Sequence, residues 1–195
     1  MTDKRYVYDI LKEPVGRDYE RLLLCLYPHG ERLVFASKMR TPLVLDKETI
    51  SKFNREGPPE IDEEALSSIG ERGLIEGLVS FVDLVPHLIQ AEFRDRWPGG
   101  ILLGHKALVY EFSCNSQTIN IVLAHTTGLY DFDWSRSPDD LAIIRPDGTV
   151  LLGTTSHENE GYLILRNDEH KDLLQEVPSL RLKKSPEGGL ENYRY

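Results

Sequence analysis

The sequence predicts an α+β domain in which an antiparallel, hairpin-rich sheet packs against a central helical segment. Three observations predict it. Pro-x-Gly turns at Pro28-His29-Gly30 and Pro146-Asp147-Gly148 lie between apolar runs. Apolar residues recur at three-to-four spacing from Leu74 through Leu78, Phe81, Val85 and Leu88. The composition, 40 % hydrophobic and 28 % charged over 195 residues, is that of a chain able to bury one core.

The first hairpin is expected near 22–37. Proline presets φ for a type I turn, and Gly30 accepts the left-handed conformation that closes it. That loop sets Leu24 opposite Val34 and Leu23 opposite Phe35. Asp46 is placed to cap a helix around 47–54, and an acidic loop with Gly57-Pro58-Pro59 follows. The central helical segment is expected near 62–96. Asp62 would be its N-cap, with Glu63 and Glu64 suiting the helix dipole and Pro86 kinking or restarting it.

Trp97-Pro98-Gly99-Gly100 then breaks the chain. If the single domain, 1–195, divides into two sub-lobes, it divides there. A second hairpin is expected near 103–125 with Asn115-Ser116 at its tip. In that register Leu108, Tyr110 and Phe112 share a face with Ile119, Ile121 and Leu123, and His105 and His125 fall on opposite faces. A third hairpin region spans 141–165, with Ile144 opposite Val150 and Ile143 opposite Leu151. A helix over 168–175 follows, capped by Asn167. Residues 181–195, rich in charge and glycine, read as a loosely ordered tail.

Charge excludes more than it identifies. Thirty-two acidic residues against 23 basic ones give a net charge of −9. Nucleic acids and anionic membranes are bound by neutralising phosphates with Lys and Arg, so neither is an expected partner. A basic protein is. No apolar run reaches the roughly 20 residues that cross a bilayer. The opening MTDKRYVYDI has no apolar core after its basic residues, so a cytoplasmic location is expected.

Catalytic signatures fail at the residues that do the chemistry. Gly99 to Lys106, GGILLGHK, lacks the Gly-Lys-Ser/Thr of a phosphate-binding loop and runs into a predicted strand. His157-Glu158 begins like a zinc-protease motif, but Gly161 stands where its second histidine belongs. Cys25 lies in an apolar run and Cys114 beside a turn, with no zinc-type spacing and no activating partner. No cofactor is expected.

What remains is a candidate polar site of His125, Asp131, Asp133, His157 and Glu158, in loops that end a rigid sheet. Tyr130 and Trp134, aromatics among polar neighbours, are the candidate interface. Two functions follow. One is a non-catalytic acidic binding protein, such as an adaptor, inhibitor or immunity-type protein. The other is a metal-assisted hydrolase near 125–133 and 154–160, with carboxylates and imidazoles holding an ion that activates water.

Overall fold

Leu33 and Phe35 alternate with Val34 and Ala36, and all four are buried, so the strand they form needs cover on both faces. The computed structural model describes residues 4–37, 82–101, 107–132, 139–186 and 195. Its elements are β1 (Arg5–Ile10), α1 (Arg17–Leu26), β2 (Arg32–Ser37), β3 (Leu88–Arg94), β4 (Arg96–Trp97), β5 (Gly100–Ile101), β6 (Ala107–Ser113), α2 (Ser116–His125), β7 (Asp139–Ile144), β8 (Val150–Thr155), β9 (Glu160–Arg166), α3 (Asn167–Glu176) and β10 (Leu182–Lys184). One eight-stranded sheet runs in the order β10-β1-β9-β8-β7-β2-β6-β3, and every neighbouring pair is antiparallel. The α+β, hairpin-rich class read from the sequence is the class of the fold.

One face of the sheet presents Tyr8, Ile10, Leu33, Phe35, Phe112, Leu163 and Leu165 to the three helices. Phe35 packs edge-on against Phe112 at 6.0 Å and tilted against Phe132 at 5.5 Å. The other face buries Val7, Val34, Ala36, Val109, Ala142, Ile144 and Ile164, with Trp97 among them.

Two expected hairpins are instead connections between a helix and a strand: α1 to β2, and β6 to α2. Residues 22–26 belong to α1, which buries Tyr19, Leu22, Leu23 and Leu26. That is the i, i+3, i+4, i+7 stripe of an amphipathic helix. The contiguous Leu-Leu-Leu-Cys-Leu hid it, because a short apolar run fits a buried strand equally well. Gly30 closes the following turn in an extended conformation, φ −94°, whereas Gly148 takes the expected positive φ of 78°.

Residues 116–125 form α2, not a strand paired with β6. Asn115 decides this: its side chain accepts from the amides of Gln117 (2.9 Å) and Thr118 (3.1 Å), while Thr118 Oγ1 accepts from the Asn115 amide at 3.0 Å. This reciprocal cap nucleates a helix from residues of middling helix propensity. Asn115→Ala should therefore cost about 0.5–2 kcal/mol, read as a lower urea midpoint at unchanged slope.

The expected central helical segment is corrected where it is described. Residues 62–81 lie outside the described residues, as do the helix expected at 47–54 and the loop at 55–64. Val82–His87 is a 3-10 turn holding Pro86, and Leu88–Arg94 is β3, paired with β6. Proline's missing donor and ring clash stop a helix there, and the chain continues extended.

The 141–165 region forms two successive hairpins, β7-β8 and β8-β9. Ile144 faces Val150 as expected, but a bulge sets Ile143 opposite Leu152. α3 begins one residue earlier than expected, with Arg166 at the cap and its amide held by the Glu169 carboxylate at 2.8 Å. The stretch expected as a loose tail contributes β10 to the sheet edge, and the Tyr195 amide donates to the Gly148 carbonyl at 3.1 Å. Strands from both sides of 97–100 share the one sheet. No helix among the described residues is long and apolar enough to cross a membrane.

Candidate functional site

The segment 11–16 runs beside 127–131 at one end of the sheet. The Gly16 amide donates to Thr127 O at 2.6 Å and the Leu129 amide to Pro14 O at 3.3 Å. Asp131 closes the second segment on itself. Its Oδ2 accepts from the Thr127 amide (2.6 Å), Thr127 Oγ1 (3.0 Å) and the Gly128 amide (2.7 Å). Short polar side chains characteristically stabilise turns in this way.

Glu13 enters this turn because residue 128 has no Cβ; one there would lie 2.6 Å from Glu13 Oε1. That oxygen accepts the Tyr130 amide at 2.8 Å. The Tyr130 ring is thereby laid over the start of β9, where a Cβ on Gly161 would lie 3.0 Å from the Tyr130 hydroxyl. The hydroxyl is shielded from solvent and has no hydrogen-bond partner among the described residues. Burial, and then the charges of Glu13 and Glu160, push its pKa up to about 12. The phenol stays protonated and keeps a hydrogen to donate.

Around Tyr130 the surface is acidic and apolar together. Leu11 is 62 % exposed and Val15 57 %, on either side of half-buried Glu13. Asp131 and Glu160 are exposed, and Lys12 is the cation of segment 11–15. The structure thus places the predicted Tyr130 and Asp131 in one turn. His125 is the exposed last residue of α2, while His157 and Glu158 lie exposed in the 3-10 turn before β9, with Nε2 and Oε1 3.5 Å apart. Asp133 and Trp134 lie outside the described residues. No group of three or more His, Cys, Asp or Glu able to hold a metal occurs among the described residues.

Glu160 lies in the 154–160 loop read from the sequence, but Glu13, Leu11 and Val15 were not legible as a site. Glu13 and Tyr130 are 117 positions apart, and no spacing rule joins them. The one sequence signal was Gly128 beside a turn aspartate, which marks close approach of another side chain.

Two other polar clusters are saturated supports. Asp139 and Asp140 open β7 and are buried, and Asp140 has a positive φ of 50°. The Asp140 carboxylate takes the Trp97 indole N–H at 2.8 Å and the Ser156 amide at 2.8 Å. This locks the turn at 97–100 onto β8, where Gly99 has no room for a Cβ beside the Thr154 carbonyl and Asp140. On the same sheet face Glu111, 1 % exposed, accepts from Gln90 (2.7 Å), Arg32 (2.9 Å), Arg94 (2.9 Å) and Tyr195 (2.9 Å). Both arginines also lie over the Tyr195 ring.

No family model, curated protein or solved structure matches this chain.

Proposed function

We propose that the protein is a non-catalytic binding module, of adaptor, inhibitor or immunity type, whose Tyr130 edge docks a basic segment of a partner protein. One observation carries this reading: a solvent-shielded tyrosine hydroxyl with no hydrogen-bond partner among the described residues, under the charge of Glu13 and Glu160, beside a segment that exposes Leu11 and Val15. An arriving Lys or Arg can pair with exposed Glu160 and half-buried Glu13, over the face of the Tyr130 ring. Leu11 and Val15 supply the apolar contact that surrounds such anchors. The net charge of −9 steers a cationic partner toward the surface and raises its on-rate. Asp131, spent on its own turn, shapes the edge more than it contacts the partner.

The test is capture of partners from extracts of the source cells by immobilised protein. Wild type is compared with Tyr130→Ala and with Glu160→Lys. Tyr130→Ala is expected to weaken the captured interaction by about thirtyfold or more, the loss typical of an anchor residue. Glu160→Lys should slow association and weaken its salt dependence. Equal recovery of the same protein by all three forms, at any salt, overturns the reading.

A further inference from the structure

Two cavities adjoin on the helical side of the sheet, at the opposite end of the β8-β9 hairpin from Tyr130. One, of about 200 Å³, is walled by Arg5, Arg145, Arg166 and His29. The other, of about 210 Å³, is lined by Leu26, Leu151, Leu165 and Leu173, and shares His29, Arg166 and Glu169 with the first. Each alone is too small for a drug-sized ligand; joined, they reach the size of small-molecule pockets.

Three guanidiniums converge here in a strongly acidic chain, and they are held in place. Glu169 grips Arg145 with two parallel bonds, Nη1 to Oε1 at 3.0 Å and Nη2 to Oε2 at 2.8 Å, and Arg145 Nη2 also donates to Ile164 O at 3.1 Å. Arg145 is only 6 % exposed, yet its Nε–H is buried without a hydrogen-bond partner among the described residues. Asp147 fixes Arg5 at 2.7 Å, and Thr149 Oγ1 lies 2.6 Å from the same nitrogen. Arg166 is the most open of the three and stands at the N-terminus of α3, where the helix dipole adds positive potential. Asp168 and Glu169 are its carboxylate partners and orient it. Planar, preset guanidinium forks are the groups that recognise phosphate and carboxylate.

We propose that the joined cavities bind a small organic anion, its phosphate or carboxylate head at Arg5, Arg145, Arg166 and His29 and its apolar body over the leucines. Asp168, Asp172 and Glu176 also line the leucine end; they bar a second anionic group there and favour a neutral or cationic body. The site shares none of the residues of the Tyr130 edge.

Butyl phosphate, pentanoate, butylamine and inorganic phosphate serve as probes of the full chain, followed by amide chemical shifts. Saturable shifts at Arg166, Glu169 and His29 with butyl phosphate or pentanoate, tighter than any with butylamine, are expected; the tighter of the two anions identifies the head group. The alkyl anion should bind more tightly than inorganic phosphate. Arg166→Gln, a partly exposed position, should weaken it at least tenfold, and Tyr130→Ala should leave it unchanged. Absence of saturable binding by either anion, equal binding of butylamine, or equal affinity in Arg166→Gln would overturn the proposal. Leu173→Ala checks the apolar end: it should weaken butyl phosphate while leaving inorganic phosphate unaffected, and the reverse result would likewise count against it.

Discussion

Arg145→Met is expected to destabilise the protein by about 3–5 kcal/mol, because it strands a buried carboxylate. Arg145 and Glu169 are 6 % and 7 % exposed, and the pair ties the end of the β7-β8 hairpin to the first turn of α3. The substitution keeps the side chain's apolar length but leaves Glu169, among the described residues, with Arg166 alone as its cationic partner. For a chain of this size the melting temperature should fall by roughly 6–20 °C. The double substitution Arg145→Met/Glu169→Leu should be more stable than Arg145→Met alone, since no charge is then left buried. If it is as unstable as the single variant, packing and not charge accounts for the loss. Arg5→Met offers the contrast: its partner Asp147 is 48 % exposed, so the pair itself is worth no more than about 1 kcal/mol.

Glu111→Leu is expected to cost about 3 kcal/mol, the lower end of the range for a broken buried pair, because Arg32 and Arg94 are each 25 % exposed and can turn toward water. The same carboxylate gives the fold an acid dependence. Burial alone would raise the Glu111 pKa, but hydrogen bonds from Gln90, Arg32 and Tyr195 and the charge of Arg94 outweigh it and lower it. Asp147 behaves alike: burial opposes ionisation, and the Thr149 and Arg5 hydrogen bonds bring it down to about 2. A carboxylate whose folded pKa is depressed stabilises the fold above its unfolded value, and that contribution is lost as pH falls through the folded value. The urea midpoint should therefore drop steadily between about pH 4.5 and 2. Glu111→Gln should flatten that dependence and Asp147→Asn should remove its lowest part. A midpoint independent of pH in this window would contradict the charge assignments.

The fold was legible where local chemistry has one outcome. Pro146-Asp147-Gly148 specifies a turn, and the strands on either side pair as their apolar faces require. It was illegible where an apolar run suits two periods. Leu22 to Leu26 and Gln117 to Leu123 satisfy strand alternation, and only their flanks settle the matter: Tyr19 completes a helical stripe, and Asn115 with Thr118 builds a cap. The apolar spacing through Val85 and Leu88 misled in the other direction, because Pro86 stops a helix more firmly than periodicity extends one. Of the site, Tyr130 and Asp131 were readable as polar-aromatic residues in a loop. Glu160 fell within the polar 154–160 loop, but Glu13 was not readable, since the pairing of segment 11–16 with 127–131, and not chain distance, brings it to this edge. The arginine cavity was hidden for the same reason: its members come from β1, the β7-β8 turn and the start of α3.

The Tyr130 edge is tested most directly by amide hydrogen exchange on the protein free and bound to its captured partner. Docking at this edge predicts new protection in segments 11–16, 127–131 and 160–161, with α3 and the β7-β8 turn unchanged. Protection confined to any other surface, with these three segments exchanging as in the free protein, would contradict it.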